Sequence, residues 1–179
     1  GGAARARRGH LRGERHHARL GQQATRGYLA PRRVAALVLP AMRHARAALP
    51  ETALWQRRHR RLERPLCLLS GGETTVKVVA DGIGGPNAHF ALALLDALEG
   101  MRGISAIVCD TDGVDGGAQI AGALIDDQTL IKARRHGLDH RDAMSRQDAH
   151  TFFQSIGQSV IPGPTGTNVN DFRAILIEP

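Results

Sequence analysis

The sequence predicts an α/β fold, a single layered domain in which a mixed β-sheet is flanked by helices. Short apolar runs that suit buried strands occur at residues 66–69, 104–109 and 172–177. Residues 87–98 instead repeat their apolar side chains at helical spacing. Loops rich in glycine and acidic residues follow the strand-like runs. Strands that alternate with helices in this way are typical of layered α/β domains.

The charge of the chain divides it into two parts. Residues 1–64 hold 16 arginines and three acids, whereas residues 65–179 hold eight basic and 14 acidic residues. We expect a disordered Arg-rich and Gly-rich segment at 1–33, because it has too little apolar surface to offset the entropy of ordering. A partly helical remnant or linker is expected at 34–64, followed by one α/β domain at 65–179.

The basic segment at residues 1–33 has more than one interpretation. An arginine-rich arm could bind the phosphates of a nucleic acid. It could equally be a solvated tail, or a stretch added by a wrongly assigned reading frame. Tyr28 is its only aromatic residue, and no motif of a nucleic-acid-binding module is present. We therefore do not expect nucleic acid as a partner.

The first predicted elements are a short strand at 34–39 and helices at 41–49 and 52–62. Pro40 and Pro50 end the first two of these.

Two strands are predicted next, at 66–69 and at 75–79, where the residues are mostly β-branched. Asn87 is then predicted to be the N-cap of a helix that ends at Gly100. The run 104–109 is predicted to be the central strand.

The remaining elements follow from composition and caps. The small residues of 118–124 predict a helical turn, and Asp139 is predicted to cap a helix. Phe152, Phe153 and Ile156 are expected to face the core. The predicted helices and strands of this part are 127–136, 139–146, 148–156, 159–161 and 172–177.

The composition excludes several classes of protein. No apolar run reaches the length of about 18 residues that a membrane span needs, and no signal peptide is visible. Cys67 and Cys109 both fall in strand-like runs and are interpreted as small buried hydrophobic residues, not as a disulfide or a metal pair. We therefore expect a cytoplasmic protein that does not bind membranes.

The main candidate site is the loop 110–117, which follows the central strand. Ligands of open α/β folds bind beyond the carboxyl ends of the strands. Asp112 and Asp115 could hold Mg²⁺, which takes one or two carboxylates together with water and phosphate oxygens. They could equally cap a helix or bind loop amides. Asp110 lies nearer the strand and is interpreted as structural.

Three further loops are candidate partners of this one. Residues 70–74 could form a nest of backbone N–H groups that binds an anion. Residues 82–87 put glycines beside a helix N-terminus, where phosphate binds readily. Residues 163–171 offer short polar side chains that suit hydroxyl or carboxylate groups. Each loop could also be an ordinary turn. His89 and His150 are expected on helix surfaces.

Several ordered motifs resemble the MOFRL domain, the C-terminal domain of the glycerate 2-kinase family, whose bacterial members are often labelled hydroxypyruvate reductase. The resemblance covers residues 66–179. The motifs that carry it are Leu68-Leu69-Ser70-Gly71-Gly72-Glu73-Thr74-Thr75-Val76, Gly84-Gly85-x-Asn87-x-x-Phe90-Ala91-Leu92-Ala93, Thr111-Asp112-Gly113-x-Asp115-Gly116, Ala121-Gly122-Ala123, Asp148-x-x-x-Phe152-Phe153 and Gly163-Pro164-Thr165-Gly166-Thr167-Asn168-Val169-Asn170-Asp171.

The resemblance implies ATP-dependent phosphorylation of D-glycerate to 2-phosphoglycerate with Mg²⁺. The implied site lies between this domain and a larger N-terminal α/β domain. Asp112 and Asp115 are the expected catalytic and metal-binding residues. The residues expected to bind substrate or nucleotide are Ser70, Gly71, Gly72, Glu73, Gly84, Gly85, Asn87, Thr111, Gly113, Gly116, Asp148, Thr165, Gly166, Thr167, Asn168 and Asn170.

The sequence departs from the family pattern at charged positions. Pro86 stands where the family usually has an arginine, which the resemblance implies to be the cation that stabilises the transition state, and Ala88-His89 replaces a Gln-Glu pair. Gln119 stands where Asp is common, and Asp148 alone is kept of an Asn-Asp-Ser-Tyr motif. We expect a fragment of the enzyme that turns over little or nothing by itself. The alternative is a catalytically inactive ligand-binding or partner module of the same fold.

Overall fold

The computed structural model describes residues 62–179 and, as backbone only, the strand at 35–38. Its centre is a six-stranded sheet with the order β1-β2-β6-β3-β4-β5. β1 and β2 are parallel, and all other neighbours are antiparallel, so the sheet is mixed as predicted. The strands are β1 (Ala35–Val38), β2 (Leu66–Gly72), β3 (Ile104–Asp110), β4 (Gly122–Ile125), β5 (Ser159–Val160) and β6 (Asp171–Ile177).

Four helices connect the strands of the described region. The helices are α1 (Pro86–Leu98), α2 (Thr129–Arg135), α3 (His140–Ser145) and α4 (Ala149–Ser155). Asp139 caps α3 as predicted, since its side chain accepts hydrogen bonds from the backbone N–H groups of Arg141 and Asp142. The helices begin and end within a few residues of the predicted bounds.

The hydrophobic core lies on one face of the sheet, beneath α1 and α4. Leu68, Val108 and Ile175 point into it from three adjacent strands and are fully buried. Phe152 and Phe153 of α4 also reach it, as predicted, with their rings edge to face. Alternate residues of a strand point to opposite faces. The other face therefore carries side chains that are half-buried or exposed and do not belong to this core.

Helix α1 begins differently from the prediction. Its N-cap is Gly85, with Pro86 at the first helical position, where the missing N–H costs nothing. Asn87 is therefore inside the first turn, and its side chain is buried. With Gly85 as its N-cap, the helix starts two residues earlier than the cap preference of asparagine indicated.

Two predicted elements are wrong. Residues 75–79 form no strand, because the described part of the chain offers them no neighbouring strand to pair with. Residues 118–124 form no helical turn, and Gly122–Ile125 instead pair with β3 as β4. Gly122 is required there, since a Cβ atom on it would lie 2.0 Å from the carbonyl oxygen of Val108. The secondary structure of both segments depends on whether a partner strand is available, not on local propensity.

Other predictions fall on residues that the structure does not describe. They are the disordered segment at 1–33 and the helices at 41–49 and 52–62. The strand predicted at 34–39 is observed as β1. Cys67 and Cys109 are half-buried free thiols, and burial raises the pKa of Cys109 to about 12. Within residues 35–38 and 62–179, no helix has the length and apolar character to cross a membrane.

Candidate functional site

The four candidate loops lie together at one end of the sheet. β2 and β3 end there and β6 begins there, because Asp171 pairs with both Gly72 and Asp110. The loops that follow β2 and β3 and the loop that precedes β6 therefore share this end. The loop before α1 joins them through Gly85, which lies against Asp115.

The loop after β3 and the loop before β6 are tied directly to each other. The Thr111 hydroxyl donates to the carbonyl of Asn170 at 2.8 Å and accepts from the N–H of Val169 at 2.9 Å. The Thr165 hydroxyl donates to the carbonyl of Thr111 at 2.5 Å. Asn168 donates from its side-chain amide to Asp112 Oδ2 at 3.1 Å. These polar residues thus shape the loops as well as facing solvent.

Asp110 and Asp112 form a pair of partly exposed acids at this end. Asp110 Oδ1 accepts from the N–H of Asp112 at 3.1 Å, and Asp112 Oδ1 accepts from the N–H of Val114 at 2.8 Å. Burial raises the pKa of Asp110, and the neighbouring carboxylates of Asp112 and Asp171 raise it further. A bound cation would relieve this crowding of negative charge.

Asp115 has a different environment, although it lies in the same loop. Its side chain is buried, and its oxygens accept from the N–H groups of Asn87 at 3.0 Å and of Ala88 at 2.9 Å. The N-terminus of α1 is thus occupied by the chain's own carboxylate, and these two amides are not free for phosphate. Burial raises the pKa of Asp115, and the hydrogen bonds from Ala88 and Asn87 oppose this effect.

The glycines beside Asp115 permit close contact between backbones. A Cβ atom on Gly85 would lie 2.3 Å from Asp115 Cγ, and one on Gly116 would lie 2.6 Å from the carbonyl oxygen of Gly84. A Cβ atom on Gly113 would lie 2.4 Å from the carbonyl oxygen of Gly163. These glycines therefore bring the loops together, whether or not they also approach a ligand.

Beneath the loops lies a buried ion pair between Asp171 and Arg173. Asp171 also accepts from the side-chain amide of Asn87 at 2.7 Å and from the N–H of Thr74 at 2.6 Å. Arg173 donates to the carbonyl of Gly71 at 3.3 Å and to the hydroxyl of Thr74. The pair therefore joins the ends of β2 and β6 to the first turn of α1.

Arg173 was not predicted from the sequence as a functional residue. The signal was present in the alternation of β6, where Asp171, Arg173, Ile175 and Ile177 share the buried face. A basic residue at such a position predicts a buried ion pair or a site residue. Its guanidinium carbon lies 5.0 Å from the ring centroid of Phe90.

The two histidines are not on helix surfaces, so that prediction is wrong. His89 and His150 are both buried. His150 Nε2 donates to the backbone carbonyl of Asp115 at 2.9 Å, because a carbonyl can only accept. The ring of His150 thus supports the acidic loop from below, which helical spacing alone did not indicate.

The remaining predicted residues are spread around the same end. Ser70 is buried and Glu73 is exposed. Asp148 begins α4, where it accepts from the N–H of Ile83 at 3.1 Å and pairs with Arg146. Thr167 and Gly166 lie in the loop before β6, and Gly166 has a φ of 70°.

The two predicted metal ligands, Asp112 and Asp115, differ in how well they could bind Mg²⁺. Within the described residues no group of three or more His, Cys, Asp or Glu side chains is arranged around one point. Mg²⁺ needs only one or two protein carboxylates, since it retains water and phosphate ligands. The partly exposed pair Asp110 and Asp112 fits this requirement. Asp115 does not, because its side chain is buried and both of its oxygens accept backbone hydrogen bonds.

The chain is thus an α/β domain with a mixed sheet. At one end of the sheet, its loops form a polar surface that carries acidic side chains. Comparison with known families is more specific. The MOFRL family matches residues 66–171, and the chain belongs to that family.

The relatives of this region include named enzymes. A protein of Agrobacterium vitis provisionally named hydroxypyruvate reductase is 52% identical over 115 residues, which are 63% of this chain and 30% of that protein. The D-glycerate 2-kinase of Thermotoga maritima is 40% identical over 118 residues, which are 66% of this chain and 28% of the kinase. The chain thus spans about three tenths of the length of these relatives.

A solved structure has the same fold. The crystal structure of a glycerate kinase from Thermotoga maritima matches with a TM-score of 0.71 and 32% identity. The match covers 87% of this chain and 38% of the solved chain. The fold predicted from the sequence is therefore confirmed.

Proposed function

We propose that this chain carries the MOFRL half of a glycerate 2-kinase site, which phosphorylates D-glycerate to 2-phosphoglycerate with ATP. The observation that carries the proposal is the gathering of four loops, with the Asp110 and Asp112 pair among them, at one sheet end. The names of the relatives support it. The second half of the site would come from the N-terminal domain of the family. In this proposal residues 65–179 are the functional domain.

The acids have separate tasks in this proposal. Asp112, together with Asp110, would hold Mg²⁺, which supplies positive charge to the transferring phosphoryl group. Asp115 would act from below, because its carboxylate fixes the first turn of α1 against the loop. This differs from the role of metal ligand that was predicted for it from the sequence.

The polar loop residues would orient substrate and nucleotide. Thr165 and Asn168 hold the loop before β6 against the Asp112 loop, so the loops present their free polar groups together. Gly71 and Gly72 pair with β6 as the last residues of β2, so successive N–H groups there do not all face one side as the predicted anion-binding nest requires. The exposed Glu73 that follows them would meet the substrate. The other proposed contacts of substrate or nucleotide are Gly84, Gly85, Thr111, Gly113, Gly116, Asp148, Gly166, Thr167 and Asn170. Ser70 and Asn87 are buried and would support these contacts from behind.

The chain alone would turn over little substrate. Phosphoryl transfer depends on positioning and on positive charge at the transferring group. Pro86 offers no cation at the start of α1, and the guanidinium of Arg173 is buried against Asp171. The missing charge would have to come from another domain. Steady formation of ADP by the chain alone in the presence of D-glycerate would contradict this part of the proposal.

A second candidate is a ligand-binding module without catalysis. Pro86, Ala88 and His89 favour it, because none of them supplies the charged groups that the family usually carries there. The variant Pro86→Arg, assayed with the N-terminal domain of a related kinase, separates the two candidates. Turnover after that change supports the kinase, and binding without turnover supports the module.

The first test is thermal unfolding of the full chain with Mg·ATP and D-glycerate. A ligand that binds only the folded state raises the unfolding midpoint. We expect a rise, and we expect Asp112→Asn to abolish the part that depends on Mg²⁺. Asp127→Asn, an acid beyond β4, is the matched control and should keep the full rise. An unchanged midpoint in the unmodified chain would contradict the proposal.

A further inference from the structure

Residues 75–80 form an exposed segment, here called the edge segment, between the loop after β2 and the glycines before α1. Val78 and Val79 are 81% and 70% exposed, and they are the most exposed large apolar side chains in the described part of the chain. The sequence Thr75-Val76-Lys77-Val78-Val79 suits a β-strand, yet no described strand pairs with it.

One side chain makes the hydrogen bonds that a neighbouring strand would make. Gln147 Oε1 accepts from the N–H groups of Val79 at 2.8 Å and of Ala80 at 3.0 Å. Gln147 Nε2 donates to the carbonyl of Lys77 at 2.9 Å. A primary amide has the same donor and acceptor as a peptide group, so Gln147 replaces a short piece of strand on this side of the segment.

The end of α3 positions Gln147. Its φ is 54°, the left-handed conformation that commonly follows a helix C-terminus, and the N–H groups of Gln147 and Asp148 bond to the carbonyls of Met144 and Ala143. The helix end thus fixes the backbone from which the side chain reaches the edge segment. Both ends of the edge segment are fixed as well, since Thr74 binds Asp171 and Gly82 donates to the carbonyl of Arg146 at 3.1 Å.

The opposite side of the edge segment is open. In an extended chain the N–H and C=O groups of successive residues point to opposite sides. Lys77 and Val79 both bond to Gln147, as alternate residues of an extended chain do, whereas Ala80 ends this alternation because its N–H bonds to the same oxygen. The groups of Val78, between Lys77 and Val79, therefore point away from Gln147. Within residues 62–179 neither Val76 nor Val78 makes a backbone hydrogen bond. An exposed edge with free backbone groups and β-branched side chains is a template for the addition of a strand.

We propose that the edge segment is a strand-addition site, held ready by Gln147, and that its occupant is an extended segment from the part of the family polypeptide that this chain does not match. That part is large, because the matched region makes up 28% of the Thermotoga maritima kinase. The edge segment also continues from Gly72 and Thr74 of the candidate site. This inference rests on the proposed function, in which the same part completes the site.

The test is amide exchange of the full chain, alone and with a defined probe. The probe is the portion of the Thermotoga maritima D-glycerate 2-kinase outside its matched 118 residues, produced separately and verified to be folded by circular dichroism. In the chain alone, the amides of Val79 and Ala80 should exchange slowly, and those of Val76 and Val78 rapidly. With the probe, exchange at Val76 and Val78 should slow at least tenfold.

Matched variants distinguish backbone pairing between the edge segment and the probe from contact between side chains alone. Val78→Pro removes one N–H group of the open side and should weaken binding of the probe more than tenfold, whereas Val78→Thr keeps that group and should bind as before. Gln147→Leu should speed exchange at Val79 and Ala80 and weaken binding. Gln154→Leu, an exposed glutamine of α4, should change neither.

Two outcomes would overturn the inference. If Val76 and Val78 become protected in the chain alone as its concentration rises, the occupant is a second copy. If they stay unprotected with the probe, no strand is added there. Neither readout uses ATP or D-glycerate, so the inference can fail while ligand stabilisation succeeds, and the reverse also holds.

Discussion

At the scale of single residues, the two acids of the loop after β3 differ in what surrounds them. Asp112 is partly exposed and bonds to its own loop and to Asn168. Asp115, three residues later, is buried and binds the first turn of α1. The same type of side chain thus has two roles. Burial fixes the carboxylate of Asp115, whereas the carboxylate of Asp112 remains accessible to a ligand.

The contact between Gly85 and Asp115 predicts a steric effect. Gly85→Ala would put a Cβ atom 2.3 Å from Asp115 Cγ, and we expect it to lower the free energy of unfolding by about 1–3 kcal/mol. Gly71→Ala is the control, since its Cβ atom would lie 3.4 Å from the nearest atom, an ordinary contact. Urea unfolding of both variants measures the difference. Equal midpoints would show that the loop moves aside without cost.

The pKa of Asp115 predicts a dependence of stability on pH. Burial raises this pKa above the ordinary value of 3.8, so the folded chain binds the proton more tightly than the unfolded chain does. The contribution of Asp115 is then fully present below pH 3.8 and is lost as the pH rises through the folded-state pKa.

Asp115→Asn removes this titration. We expect the variant to lose less stability than the unmodified chain as the pH rises from 4 to 7, a range of about three units. Urea unfolding across that range measures how the free energy of unfolding changes with pH in each protein. Asp110 is present in both, so the difference between the two slopes is due to Asp115. A steeper loss in the variant would mean that the hydrogen bonds to Asp115 outweigh its burial.

At the scale of elements, α1 is the central helix of the domain. Nine of its 13 residues are buried, and they include residues on every side of the helix. Neighbours therefore surround it: the sheet lies on one side, α3 and α4 pack against it, and the acidic loop covers its N-terminus. This packing therefore fixes the first turn of α1 against the loops of the candidate site.

The burial of α1 predicts a large effect of truncation there. Leu92 is fully buried, so Leu92→Ala should lower the free energy of unfolding by about 2–5 kcal/mol. Leu124 of β4 is 42% exposed, and Leu124→Ala should cost less, about 1 kcal/mol. Urea unfolding of the pair checks this. A similar cost for both would mean that the outward face of β4 is covered in solution.

At the scale of the whole molecule, one buried polar network joins parts of the chain that are far apart in sequence. It runs from Arg173 through Asp171 and Asn87 to Asp115. Each member belongs to a different element or loop, apart from the two on β6. The network therefore holds the end of the sheet and the loops of the candidate site as one unit.

Removal of its cation should disturb that unit. Arg173→Met would leave Asp171 buried without its partner, which should cost about 3–5 kcal/mol of unfolding free energy. Arg141→Met is the control, because its ion pair with Asp96 is exposed and its loss should cost far less. Thermal and urea unfolding measure both. A small loss for Arg173→Met would mean that water replaces the guanidinium.

The sequence by itself determined the α/β class, the central strand, the cap at Asp139 and the four loops of the candidate site. These follow from local patterns, namely apolar spacing, capping residues and glycines at strand ends, which act over a few residues. Only the tertiary structure decided the strand at Gly122–Ile125, the unpaired segment at 75–79, and the inward position of Asp115, Arg173 and His150. The physical reason is that pairing, burial and ion-pair formation depend on which distant residues become neighbours when the chain folds.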